Sequence, residues 1–106
     1  MADAADFVRL ALALPGVVEY PHFDRRAFRA RVTFATLAPD GASANLKFSS
    51  EEQEFKCLLA PGAFAPIANA WGRQGWTVAT LATLSEDELR AALEMALAHA
   101  RKKIPK

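Results

Sequence analysis

With 106 residues, 52% of them hydrophobic and 24% charged, the chain reads as one globular domain, residues 1–106, with a single core. Thirteen basic and twelve acidic side chains leave a formal charge of +1, which excludes the strongly basic class of nucleic-acid binders. The charge is uneven, however: Arg25, Arg26, Arg29, Arg31 and Lys47 meet only Asp24 and Asp40 between Tyr20 and Phe48, and Arg101, Lys102, Lys103 and Lys106 close the chain.

Asp3 to Leu14 reads as a helix. Phe7, Leu10, Ala11 and Leu14 recur on one face of a 3.6-residue period, Asp3 serves as N-cap, and Pro15-Gly16 stops it. Val17 to Tyr20 reads as a short strand before Pro21. Residues 26 to 38 alternate, with Phe28, Ala30, Val32, Phe34 and Thr36 on one parity and Arg29, Arg31 and Thr33 on the other. So long a run exceeds the usual limit of about ten residues, so a break is expected near Arg31-Val32. Pro39-Asp40-Gly41 suits a three-residue hairpin loop closed by Ala38 and Ala42. That register sets Phe34 opposite Leu46, Val32 opposite Phe48 and Thr36 opposite Ala44, with Thr33, Ala35, Leu37, Ser43, Asn45 and Lys47 on the other face.

Ser49 or Ser50, followed by Glu52 and Gln53, caps a helix from about Glu51 to Leu59, with Phe55, Leu58 and Leu59 expected inward and Pro61-Gly62 at its end. Residues 63 to 68 form a short connecting segment. Trp76 to Leu81 reads as a strand with Trp76, Val78 and Thr80 on one face. Ser85 to Glu88 is a second capping box. The helix that follows places Leu89, Ala92, Leu93, Ala96, Leu97 and Ala100 on one stripe and ends at the basic Arg101 to Lys103. The resulting fold class is α+β: a two-layer domain with an antiparallel sheet, helices on one face, and the other face open to solvent or a partner.

Four stretches run in fixed order: ALALPGVVEYPHF (residues 11–23), FRARVTFATL (28–37), LKFSSEEQ (46–53) and AWGRQGWT (70–77), with a capped helix after them. In this order they resemble the MmcQ/YjbR family over nearly the whole chain. The resemblance implies a small α+β fold of the secretion-chaperone-like or frataxin-like kind. It also implies a DNA-binding role through a double wing of β-hairpins. Asp24 departs from the glycine that commonly follows the family's His-Phe pair. Arg31 runs into Val32 where many members have a Gly-Lys turn, and Arg73 is the one charge in a segment that is more basic in many relatives.

Arg29, Arg31 and Lys47, with Arg25 or Arg26 nearby, form one candidate phosphate-binding set on a hairpin face. The plainer reading of these residues is a solvated sheet face. Arg73, between Trp71 and Trp76, is a second candidate. Here Trp76 is read as core at the start of its strand and Trp71 as the cap of a sheet edge. Gly72 and Gly75 permit a tight turn that presents the arginine. His22 and Glu19 lack a third partner for a metal or a proton relay, since His99 falls on a separate helix, and His22 is expected to fix its loop by a hydrogen bond. Cys57 has no candidate base, and as the single cysteine it excludes an internal disulfide and a cysteine-type four-ligand zinc site.

No nucleotide-binding loop or nucleophile elbow occurs, so no enzyme, cofactor or metal is expected. No apolar run approaches the ~18 residues of a membrane span, and the acidic Met-Ala-Asp-Ala-Ala-Asp start lacks a signal's basic region, so the cytoplasm is the expected compartment and no membrane partner is expected. The leading expectation is a non-enzymatic DNA-binding module that contacts phosphates through Arg26, Arg29, Arg31, Lys47 and Arg73. The alternative is a protein-interaction adaptor using the open sheet face or a hairpin edge, as a homodimer or with another protein.

Overall fold

The computed structural model describes residues 1–101. Lys102 and Lys103, expected to close the last helix, lie outside the described residues. The elements run α1 (Ala4–Leu12), β1 (Val18–His22), β2 (Arg25–Arg29), β3 (Thr33–Leu37), β4 (Ser43–Lys47), α2 (Ser50–Leu59), β5 (Phe64–Pro66), α3 (Ala70–Arg73), β6 (Trp76–Thr80) and α4 (Glu86–Arg101). The six strands form one antiparallel sheet in the order β1-β2-β3-β4-β6-β5. Both outer strands carry a proline, Pro21 in β1 and Pro66 in β5.

Helix α4 lies on the central strands β3 and β4 and against α1. Its stripe from Leu89 to Ala100 is buried as the 3.6-residue period requires. Beneath it lie Phe28, Ala35, Leu46 and Ala79, all fully buried, and Phe7 of α1 meets Phe28 edge to face at 5.5 Å. Each large apolar side chain buried here contributes roughly 1.5–3 kcal/mol. The helix starts are capped as their sequences dictate. Asp3 with Asp6, Ser49 with Glu52 and Ser85 with Glu88 each close a reciprocal capping box.

Three local expectations change. The hairpin of β3 and β4 closes on Ala38 and Ser43, and its loop has four residues. Gly41 N donates to Ala38 O at 2.9 Å, and the Asp40 carboxylate accepts from Ala42 N at 2.9 Å, which draws Ala42 into the loop. The register therefore slips by one, so that Ala35 faces Leu46 and Leu37 faces Ala44, and Ala35 and Leu37 join the core. Thr36 turns to the opposite face beside Asn45. The break expected near Arg31-Val32 is present as a connection over residues 30–32. A bulge follows it in β3, where Phe34 has no partner opposite and is buried.

Helix α2 is inverted from expectation. Phe55, Leu58 and Leu59 are 56, 76 and 67% exposed, while Gln53, Lys56, Cys57 and Ala60 turn inward. The cause is polar. Gln53 Nε2 donates to the carbonyls of Gly72 at 2.9 Å and Trp76 at 3.1 Å, and the Lys56 ammonium stands 5.6 Å from the centre of the Phe64 ring. The connecting segment after α2 contributes a sixth strand, β5, that the sequence reading did not anticipate.

Candidate nucleic-acid interface

The strand register assigns each side chain to a face. Tyr20, His22, Arg25, Arg29, Thr36, Asn45, Lys47, Trp76 and Val78 all project from the face opposite α4. Among the described residues no carboxylate stands on this face. Glu19 pairs with Phe28 and lies on the helix side, Asp24 and Asp40 sit at hairpin tips, and the remaining acids of the described residues belong to α1, α2 and α4 or their caps. A near-neutral chain thus carries a locally cationic surface, because its charges are segregated by layer.

The five cations singled out from the sequence separate accordingly. Arg29 lies on the open face with its guanidinium carbon 5.3 Å from the centre of the Tyr20 ring. Lys47 is on the same face, two strands away across β3, and its ammonium donates to the carbonyl of Gln74. Partial burial pushes the Lys47 pKa down. That bond ties Lys47 to the residue after Arg73, which ends α3 exposed to solvent. Arg31 is exposed in the 30–32 connection, so the break removes it from the parity it shares with Arg29. Arg26 is on the helix-side face, opposite Arg29 and Lys47. It pairs in register with core-facing Leu37 and donates twice to Glu19, at 2.5 and 2.9 Å, which raises the arginine pKa and lowers the carboxyl. It lines a helix-side cleft together with Asp24 and Asp40, an unsuitable setting for a polyanion.

Arg25 takes the place expected of Arg26. Its Nε donates to Thr36 Oγ1 at 2.9 Å, laying the guanidinium across the open face. The signal was available in the sequence: Arg25 shares strand parity with Arg29, and Arg26 shares it with Phe28. Arg25 and His22 bound one side of a groove of about 290 Å³ that crosses the face. Thr36 and Asn45 form its floor, and Trp71 and Trp76, with Ile67 and Asn69, bound the far side. Trp76 is therefore half-exposed on the groove, not core, because Thr77 and Ala79 are the residues of β6 that turn inward. Trp71 is 58% exposed.

The glycines of the tryptophan turn are fixed by close approach. A Cβ on Gly72 would sit 1.8 Å from the carbonyl oxygen of Ile67. One on Gly75, whose φ is +103°, would sit 1.9 Å from that of Phe48. Asn69 caps the one-turn helix by accepting from Trp71 N at 2.9 Å, which sets the indole at the rim. At the tip of the β1–β2 hairpin, exposed Phe23 has a φ of +59° and its ring packs edge to face on His22 at 4.8 Å. Ring contacts with Phe23 and Tyr20, and not the expected hydrogen bond, hold His22.

Cys57 is half-buried and burial pushes its thiol pKa up, the opposite of activation. Among the described residues no three His, Cys, Asp or Glu side chains cluster to hold a metal ion, and the sheet separates His22 from His99 on α4. No helix of the described residues is long and apolar enough to cross a membrane.

Comparison with curated proteins finds no match. Among solved structures, the fold is similar to the crystal structure of Deinococcus radiodurans protein DR2400, a DUF419 domain, at a TM-score of 0.77 and 21% identity over 100% of this chain and 84% of that one. The order of helices and strands and the sequence of residues 12–98, which matches the YjbR family model, agree with the likeness read from the four motifs: the chain belongs to the YjbR family.

Proposed function

We propose that the chain is a non-enzymatic nucleic-acid-binding module that holds a single strand on its open sheet face. The observation that supports this reading is a face, free of carboxylates among the described residues, that Arg25, Arg29 and Lys47 share with two accessible indoles. Cationic grooves with aromatic platforms suit single strands, whose bases are free to stack; a duplex keeps its base faces to itself.

Three or four phosphate contacts give a salt slope of about −2 to −3, at roughly −0.7 per contact for single strands. Affinity then falls about 20- to 50-fold between 50 and 200 mM salt. Fluorescence anisotropy with a labelled single-stranded oligonucleotide measures it. Arg29→Ala lowers the slope by about 0.7, whereas Arg26→Ala, on the other face and paired to Glu19, leaves it unchanged. Equal slopes for Arg29→Ala and wild type, or a duplex bound as tightly as the strand, refute the reading.

A second reading rests on α2, whose Phe55, Leu58 and Leu59 form an exposed apolar ridge. It makes the chain a protein-interaction module that pairs with a second copy through that helix.

A further inference from the structure

The groove contains an amide that the fold does not use. Asn45 stands in the middle of a central strand, a position where asparagine is disfavoured. Among the described residues its side chain has no hydrogen-bond partner, although Thr36 beside it is engaged by Arg25. Trp71 and Trp76 make no ring contact with each other or with another aromatic of the described residues, and both border the groove. Arg25 uses Nε on Thr36 Oγ1 and only a long 3.5 Å contact from Nη2 to Thr36 O, which leaves Nη1 available. A flat apolar platform, a donor–acceptor amide and a cation thus border one groove of about 290 Å³.

We infer that this groove is a nucleotide pocket: it takes one base against the indoles, reads that base's edge with the Asn45 amide and holds the attached phosphate at Arg25. An amide offers an adjacent donor and acceptor, the pattern that base edges present. Indole faces give stacking without selecting a base. The inference rests on the nucleic-acid reading of the open face and adds to it a defined position for one nucleotide.

Both tryptophans of the chain border the groove, so intrinsic tryptophan fluorescence is sensitive to what enters it. Adenosine 5′-monophosphate is titrated against the whole chain, with ribose 5-phosphate as the probe lacking a base. Saturable quenching by the nucleotide, and none by the sugar phosphate, is the expected result. Asn45→Ala and Trp71→Ala each weaken nucleotide binding by about fivefold or more, and Arg26→Ala leaves it unchanged. Melting temperatures of the variants, measured in parallel, separate lost binding from lost folding.

Equal quenching by ribose 5-phosphate, or nucleotide binding indifferent to both groove variants, overturns the pocket. Strand binding by anisotropy with unaltered tryptophan fluorescence also overturns it, while leaving the open-face reading intact. Nucleotide quenching lost in Asn45→Ala, with no strand bound, sustains the pocket and defeats the strand reading instead.

Discussion

Replacing Gly75 by alanine tests whether the tryptophan turn is held by close backbone approach. Two costs coincide there. A φ of +103° is a conformation that L side chains rarely adopt, and holding alanine in it costs about 1–3 kcal/mol. The new Cβ would also meet Phe48 O at 1.9 Å, while real contacts essentially never fall under 3.0 Å, so backbone must move by more than about 1 Å. Such overpacking adds about 1–3 kcal/mol, and the movement pulls on the Phe48 N–H bond to Gly75 O at 3.1 Å. The sum, roughly 2–6 kcal/mol, is a large share of the ~5–15 kcal/mol that holds a domain folded. Melting should fall by about 10 °C or more, at roughly 4–8 °C per kcal/mol for a domain near this size. Gly62→Ala is the control, since nothing lies within 4 Å of its added methyl and it has no positive φ; its stability should stay within about 0.5 kcal/mol. The assay is thermal unfolding by far-ultraviolet circular dichroism on the two variants and wild type. A Gly75→Ala protein melting within about 2 °C of wild type refutes the close-approach argument.

Two further outcomes follow from the charged and apolar surfaces. The Arg26 hydrogen bonds hold the Glu19 carboxyl below its ordinary 4.5, so the pair's contribution is fully present above that value and is lost as pH falls through the lower folded value. The stability gap between wild type and Arg26→Ala, from urea unfolding, should include under about 1 kcal/mol from this exposed pair at neutral pH and should narrow toward pH 3; a gap that widens in acid contradicts the assignment. If α2 pairs two copies, light scattering after size exclusion gives a dimer for wild type and a monomer for Phe55→Ser with Leu58→Ser; a wild-type monomer at high concentration removes that reading.

What the sequence made legible was set by local rules. The α4 stripe and the capping boxes depend on spacing within one helix, and they stand as read. The β3–β4 register depended on one side chain: the Asp40 bond to Ala42 N lengthens the loop by a residue and moves Ala35 and Leu37 to the core side. The apolar residues of α2 misled because the helix docks beside the tryptophan turn with Gln53 inward. Its Nε2 gives a second hydrogen bond to the Gly72 and Trp76 carbonyls, which already accept from Gly75 N and Ile67 N. Trp76 misled for a related reason, since size suggests core while strand parity gives that place to Thr77 and Ala79. The basic candidates part company where strand parity outweighs proximity in sequence: Arg26 stands next to Arg25 in the chain and on the far side of the sheet from it. The groove joins residues 22 to 76 and carries no contiguous motif.

The prolines of the two outer strands set how other molecules can approach. Pro21 and Pro66 lack the N–H that a further strand would need, and β5 is three residues long. An extended peptide laid alongside would find an interrupted ladder, so growth by strand addition, whether to a partner or into an aggregate, is blocked at each margin.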